Sequence, residues 1–220
     1  MAGKTIVVDP GHNGLYKRSF NTKQVPAGNG KTKDCNSSGT ATRSGYEEHA
    51  YNWAQATALA AQLRKLGAKV VLTRKNDEGL GPCVNLRAKT ANDIGADLLI
   101  SIHADGNTAA GARGYHVIVS TAMAGGDALE KSSLRLAKNA RAKLDALAQM
   151  PRSNYTGKAA LSLRDDLATL NLLEDTPGIM MEMGNMMNAA DAKLLASKSF
   201  RKAAAKALAE AAAKTLRASS

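Results

Sequence analysis

Four side chains of this 220-residue chain have the types and spacing for metal-assisted hydrolysis: His12, Glu48, His103 and Glu182. His12 follows the β-branched apolar run 5–8, which reads as a buried strand broken by Asp9-Pro10-Gly11. His103 closes a second apolar run, 97–102, and Glu182 terminates a third, 179–181, between methionines. Ligands of open α/β sheets bind beyond the carboxyl ends of the strands, so these three fall on one edge. Glu48 opens a helical pattern, whose N-terminus returns to the same edge if the connection is a right-handed crossover. Two histidines and a carboxylate form a common catalytic zinc set that leaves a fourth position for water. A second, non-ligating glutamate then acts as general base toward that water. Glu182 suits that role, because an apolar strand desolvates its carboxylate and raises its pKa.

Each residue also has a plainer reading. A lone histidine in a turn is commonly structural. Glu48 fits an ordinary first-turn acid favoured by the helix macrodipole, and its neighbour Glu47 could be the ligand instead. His49 reads as a surface residue, and His116, in the middle of an apolar run, as a satisfied core or face residue. Asp9 and Asp105 stand where they could orient the histidines from behind.

The elements that must position these residues alternate. Residues 13 to about 46 lack periodicity and are rich in Gly, Asn, Ser, Thr and Lys. Loops beyond about 15 residues are usually functional or tied down, and Cys35 could be the tie. A helix begins at Glu48, with an apolar stripe of Tyr51, Ala54, Ala58, Ala61, Leu63 and Leu66, and ends at Gly67. A strand (69–73), a helix (86–94), a strand (97–102), a strand (115–119) and a long helix (127–149) follow. The polar stretch 150–176 carries a short strand or turn near 161–163; a strand at 178–183 precedes one or two helices over 189–216, capped by Asn188 or Asp191. This alternation implies one α/β domain over 4–217, with a mostly parallel twisted sheet of about six strands flanked by helices on both faces.

Composition narrows the partners. The net charge is +11, which fits either a solvated surface or attraction to a polyanion such as an anionic cell wall. No basic stripe interleaved with aromatics appears, which argues against nucleic acid. No run of about 18 apolar residues is present, so no membrane span is expected. Met1-Ala2-Gly3-Lys4 leads directly into the first strand with no visible signal peptide, as in a mature or truncated form. Cys35 and Cys83 each sit in a Gly/Pro/Asn-rich loop; a structural disulfide, and hence an oxidising compartment, is favoured over two free thiols.

Five motifs then run in order across nearly the whole chain: Asp9-Pro10-Gly11-His12-Asn13-Gly14; Glu48 with Asn52; Thr73-Arg74 with Leu86-Arg87 and Ala91-Asn92; Ser101-Ile102-His103-Ala104-Asp105; and Pro177 through Asn185 with Asn188. Together they resemble the zinc-dependent N-acetylmuramoyl-L-alanine amidases of the type-3 amidase family, which cut peptidoglycan. The resemblance implies zinc on His12, Glu48 and His103, with Glu182 as base, and selects Glu48 over Glu47 because Asn52 stands at the matching offset. It makes Asp9, Asn13, Arg74, Arg87, Asp105 and Asn185 candidates for supporting the ligands or touching substrate. Asp105 replaces the usual Asn, and Asn185 the usual aromatic. The pair Cys35 and Cys83, the long first loop and Gly81-Pro82-Cys83-Val84 resemble the mycobacterial and actinobacterial branch.

The implied activity is hydrolysis of the amide between N-acetylmuramic acid and L-alanine, on peptidoglycan or muropeptide fragments. The implied setting is a monomeric enzyme exported to the periplasm or cell wall, with no separate wall-binding module. A zinc exopeptidase is the alternative, but it would need further carboxylates for a second metal. A catalytically weak wall-binding relative would lack the base or a ligand. Residues 13–46 and 150–176 are the stretches that could gate the site.

Overall fold

Apolar β-branched residues set the centre of the sheet. In the computed structural model, which describes residues 1–218, Ile6, Val7 and Val8 of β1 (Thr5–Pro10) are fully buried. A short helix α1 (Arg18–Asn21) and a hairpin of β2 (Gln24–Pro26) and β3 (Thr32–Asp34) follow. Then come α2 (Glu48–Lys65), β4 (Lys69–Leu72), α3 (Val84–Asp93) and β5 (Leu98–Asp105). The second half holds β6 (His116–Ser120), α4 (Gly126–Asp145), β7 (Leu161–Arg164), α5 (Ala168–Asn171), β8 (Gly178–Asn185), α6 (Ala189–Ala196) and α7 (Lys198–Arg217). The side chain of Asn188 accepts from the N–H groups of Ala190 and Asp191, so Asn188 is the cap of α6.

The main sheet has the order β4-β1-β5-β8-β6-β7. The first four strands are mutually parallel; β6 runs antiparallel to β8, and β7 parallel to β6. The sheet is therefore mostly parallel, as expected, with a reversed pair at one side. The reversal has a positional effect. It brings the first residue of β6, His116, beside Glu182 near the carboxyl end of β8.

Three strands run further than their apolar cores suggest. β1 continues through Asp9 and Pro10, which pair with Ser101 and Ile102. Extended backbone suits a proline and the residue before it, so the break comes only at Gly11 and His12. β5 and β8 likewise continue through His103 and Glu182, which lie inside their strands rather than after them. The buried side chains alternate to the other side there: Ile102 and Ala104, Met181 and Met183.

The stripe of α2 is also rotated from the expected one. Tyr51, Gln55, Ala56, Leu59, Ala60 and Leu63 are buried, whereas Ala61 and Leu66 face water. Glu48, Asn52 and Gln55 belong to the buried face, and a stripe drawn through apolar residues alone cannot include them. Each fully buried leucine here contributes on the order of 2 kcal/mol. Helices α2 and α4 pack against the sheet, and α7 packs against both of them; the many alanines of α7 allow close approach. α3 and α5 cover the other face beside the cleft. Among the described residues no helix is long and apolar enough to cross a membrane.

The segment 13–46 is tied down as expected: Cys35 and Cys83 form a disulfide, 48 residues apart in sequence. The region 150–176 carries β7 and α5, and it meets the hairpin: Lys33 Nζ donates to the Asp166 carbonyl and Asn29 Nδ2 to that of Asp165.

Candidate metal centre

The site is built upward from Arg87. This guanidinium is almost fully buried and donates to Asp9 Oδ1 (2.7 Å), the carbonyls of Pro10 and His12 (2.8 Å each) and Asn13 Oδ1 (2.8 Å). It therefore grips the turn that carries His12 by backbone as well as by side chain. The grip is needed, because His12 has φ 59°, a left-handed conformation that costs a non-glycine residue on the order of 1 kcal/mol or more. Asp9 also accepts from Thr73 and from Ser101 Oγ (2.7 Å). Burial opposes its ionisation, but Arg87 and the two hydroxyls outweigh burial and hold its pKa below the usual value. Asp9 thus balances Arg87 and makes no hydrogen bond to either histidine, contrary to the orienting role expected of it.

Nδ1 of His12 lies 3.0 Å from the Ser37 carbonyl. A carbonyl only accepts, so Nδ1 carries a proton, and Nε2 is the nitrogen left to turn a lone pair to a metal. That Nε2 faces Glu48 Oε2 at 3.0 Å, and His103 Nδ1 faces Glu48 Oε1 at 3.0 Å. Glu48 is fixed from several directions. Thr40 N donates to Oε2, and Ala104 N and Asn52 Nδ2 donate to Oε1. Asn52, one helical turn on, explains the value of its offset from Glu48. Burial disfavours the Glu48 carboxylate, yet His12 and His103 outweigh burial and keep its pKa well below normal. Burial also lowers the pKa of His103, which favours the neutral imidazole a metal requires. The His103 ring lies against Gly11, where an added Cβ would stand 2.1 Å from Nε2. Gly39 similarly backs Glu48 and His12.

One donor atom each from His12, Glu48 and His103 falls within 4.8 Å of the others. Two imidazoles and a carboxylate at that spacing can hold a divalent metal ion, with a coordination position left over, once the ring nitrogens that face it give up their protons. Glu47 does not compete, because it pairs with His49, which also meets Asp77.

Glu182 is paired with His103 across β5 and β8. It is half-buried and lines the same cleft, of about 510 Å³, whose walls include Lys33, Thr40, Leu167 and Thr169. Its Oε2 is buried without a hydrogen-bond partner. Burial pushes its pKa well up, and Glu48 and Asp105 add to the rise against Arg164. The structure therefore brings all four principal residues together.

The remaining candidates divide. Asp105 and Arg87 reach the cleft wall. Asn13 donates to the Gly81 carbonyl, and Arg74 binds the carbonyls of Pro10, Asn76 and His49 and the carboxylate of Asp77, so both brace loops. Asn185 is buried and donates to the carbonyls of Asn107 and Ala112, holding the loop after β5. His116 differs from its expected satisfied state: it is buried, and its Nδ1 has no partner. Only strand ends were candidates in sequence, and a strand start reaches this edge only when the strand is reversed.

A family model described as N-acetylmuramoyl-L-alanine amidase matches residues 6–214. The N-acetylmuramoyl-L-alanine amidase Rv3717 of Mycobacterium tuberculosis is 43% identical over 209 residues, covering 94% of this chain and 84% of that protein. The crystal structure of the apo N-acetylmuramyl-L-alanine amidase Ami1 from Mycobacterium abscessus superposes with TM-score 0.92 at 40% identity, over 98% of this chain and all of that one. Ami1 from Mycobacterium smegmatis gives TM-score 0.92 at 39% identity, over 99% of this chain and 98% of that one.

Proposed function

The chain belongs to the N-acetylmuramoyl-L-alanine amidase family, and from that premise we propose a zinc-dependent peptidoglycan hydrolase with His12, Glu48 and His103 as ligands and Glu182 as general base. The observation that supports it best is the cluster itself: donor atoms of two histidines and a glutamate converge beside a second glutamate whose pKa burial raises. Zinc bound there would supply Lewis-acid polarisation of the lactyl carbonyl and a water of lowered pKa.

The protein side of the reaction falls to Glu182. Its carboxylate takes a proton from the water that attacks the carbonyl, and returns it to the L-alanine nitrogen as the C–N bond breaks. A raised pKa suits both halves, because the group must hold the proton between them. Ser37 keeps the proton of His12 on Nδ1, and Asn52 keeps Glu48 aimed. Lys33 on the cleft wall offers a cation to the carboxylates of the stem peptide. Residues 4–217 act as one catalytic unit, working as a monomer on exported cell-wall substrate or its fragments; the Cys35–Cys83 disulfide fits that oxidising setting.

Mass spectrometry of digested muropeptides tests this. The expected products are glycan with an intact lactyl carboxylate and peptide with a free L-alanine amine, and chelator should abolish both. Release of a terminal amino acid would point to an exopeptidase, and chelator-resistant cleavage would overturn the metal role.

A further inference from the structure

Two buried side-chain atoms without hydrogen-bond partners sit on neighbouring residues beside the cleft, Glu182 Oε2 and His116 Nδ1, and the hydroxyl of Tyr155 lies next to them under the influence of Asp105. His116 and Glu182 are Cα partners in the antiparallel pairing of β6 with β8, so their side chains rise from the same face of the sheet. His103 is the partner of Glu182 on its other side. A row therefore crosses three strands: the ligand His103, the base Glu182, then His116. Tyr155 closes the row, its ring meeting the His116 ring edge-on at 6.2 Å and 86°. Buried polar atoms are paired in the great majority of cases, and Glu182 Oε2 and His116 Nδ1 stand unpaired on facing side chains, with Tyr155 beside Asp105.

We infer that His116 is a positioning residue for the general base: its imidazole N–H, unpaired in the free enzyme, turns to donate to Oε2 of Glu182 when that carboxylate acts as base, with Tyr155 walling the ring, and leaves Oε1 for water and substrate. The inference rests on the reading of Glu182 as the base. The chemistry agrees at each point. Glu182 has an inner oxygen that can only accept once ionised. His116 has an unused nitrogen on the facing side chain. Burial pushes His116 down to about 4, with Asp105 and Arg164 acting on it in opposite directions, so at neutral pH the ring is uncharged and carries one N–H. A neutral donor orients a carboxylate without adding a second cation beside the metal. His116 is absent from the cleft walls, so it acts through Glu182 and not on the substrate.

The test compares His116→Phe, which keeps ring shape and the Tyr155 contact but has no donor, with His116→Asn, whose amide N–H stands near the place of Nδ1. The Phe variant should lose about 10- to 100-fold in kcat on muropeptide, with KM within about twofold and zinc content unchanged. The Asn variant should recover most of that loss. Adding His116→Phe to Glu182→Gln should cost nothing further, because the two act as a unit. If the Phe variant does not fold, Tyr155→Ala carries the test, because it removes the wall of the ring: a fall in kcat at constant KM and zinc content supports the inference, and an unchanged kcat overturns it. An unchanged kcat in a folded His116→Phe, a change in KM alone, or an Asn variant as slow as the Phe variant each overturns it. A fully active Glu182→Gln would instead overturn the base assignment, whereas an inactive Glu182→Gln beside an unimpaired His116→Phe removes only the role of His116.

Discussion

On one side of the cleft, Glu48 is buried and both its oxygens are used: histidine nitrogens, backbone N–H groups and an asparagine amide all address it. On the other side, one strand away from His103, Glu182 is also enclosed, and its Oε2 meets nothing. Burial pushes both carboxylates toward the neutral form. The two histidines reverse that push for Glu48, whereas for Glu182 the carboxylates of Glu48 and Asp105 reinforce it against Arg164. The same side chain in the same cleft is thus favoured as an anion in one place and favoured in its protonated form in the other. Number and sign of neighbours decide the difference, because burial is common to both. A ligand must never protonate, whereas a base must do so once per turnover.

Removing one side at a time separates them. His103→Ala should abolish activity and lower bound zinc by elemental analysis in the same preparation; full metal occupancy would break the distinction from the ligand side. Glu182→Gln should cut kcat by about 10²- to 10⁴-fold while zinc content stays at the native level. Arg87→Met sharpens the ligand side further. It leaves Asp9 charged and unpaired and frees the turn of His12, so urea unfolding should show a loss of about 3–5 kcal/mol. Replacing Cys35 and Cys83 by Ser should cost about 4 kcal/mol on the chain-entropy estimate for a 48-residue separation. It should also weaken metal binding, because residues 37–40 address His12 and Glu48 but not Glu182.

The smallest effect is one of pH. The pKa of Asp9 is lowered in the folded state, so its stabilisation is complete above the unfolded value near 3.8 and is lost as pH falls below that through the folded pKa. Metal-free Asp9→Asn should show a shallower loss of stability with acid than metal-free wild type, measured by thermal unfolding from pH 5 downward.

The ligand side was legible in sequence because its residues sit beside backbone features that sequence displays. His12 follows a Pro-Gly turn, His103 ends an apolar run, and Glu48 carries Asn52 at a helical offset. The six strands and the flanking helices were legible for the same reason, since periodicity reports which face is buried. Three things were not. The direction of β6 depends on the connection before it, loop 106–115, which has no periodicity; with it went the position of His116. The buried polar face of α2 was hidden because Glu48, Asn52 and Gln55 score as surface residues until their partners are known. The work of Asp9, Asn13, Arg74 and Asn185 was hidden because a polar residue that braces a loop and one that touches substrate look alike in sequence.

The disulfide spans 35 to 83 and so encloses Glu48 but not His12. A protease cut at the exposed turn around Glu78 and Leu80 falls within that loop, and the two pieces stay covalently joined. A cut at the hairpin turn, where Gly28, Gly30 and Lys31 are exposed, falls outside it. The piece so released carries the central strand β1 and one of the three proposed metal ligands, held without a covalent link by the sheet and by bonds such as the grip of Arg87. The two nicks would leave one band and two bands, respectively, on a non-reducing gel, and only the second would make the enzyme's activity depend on two chains remaining associated.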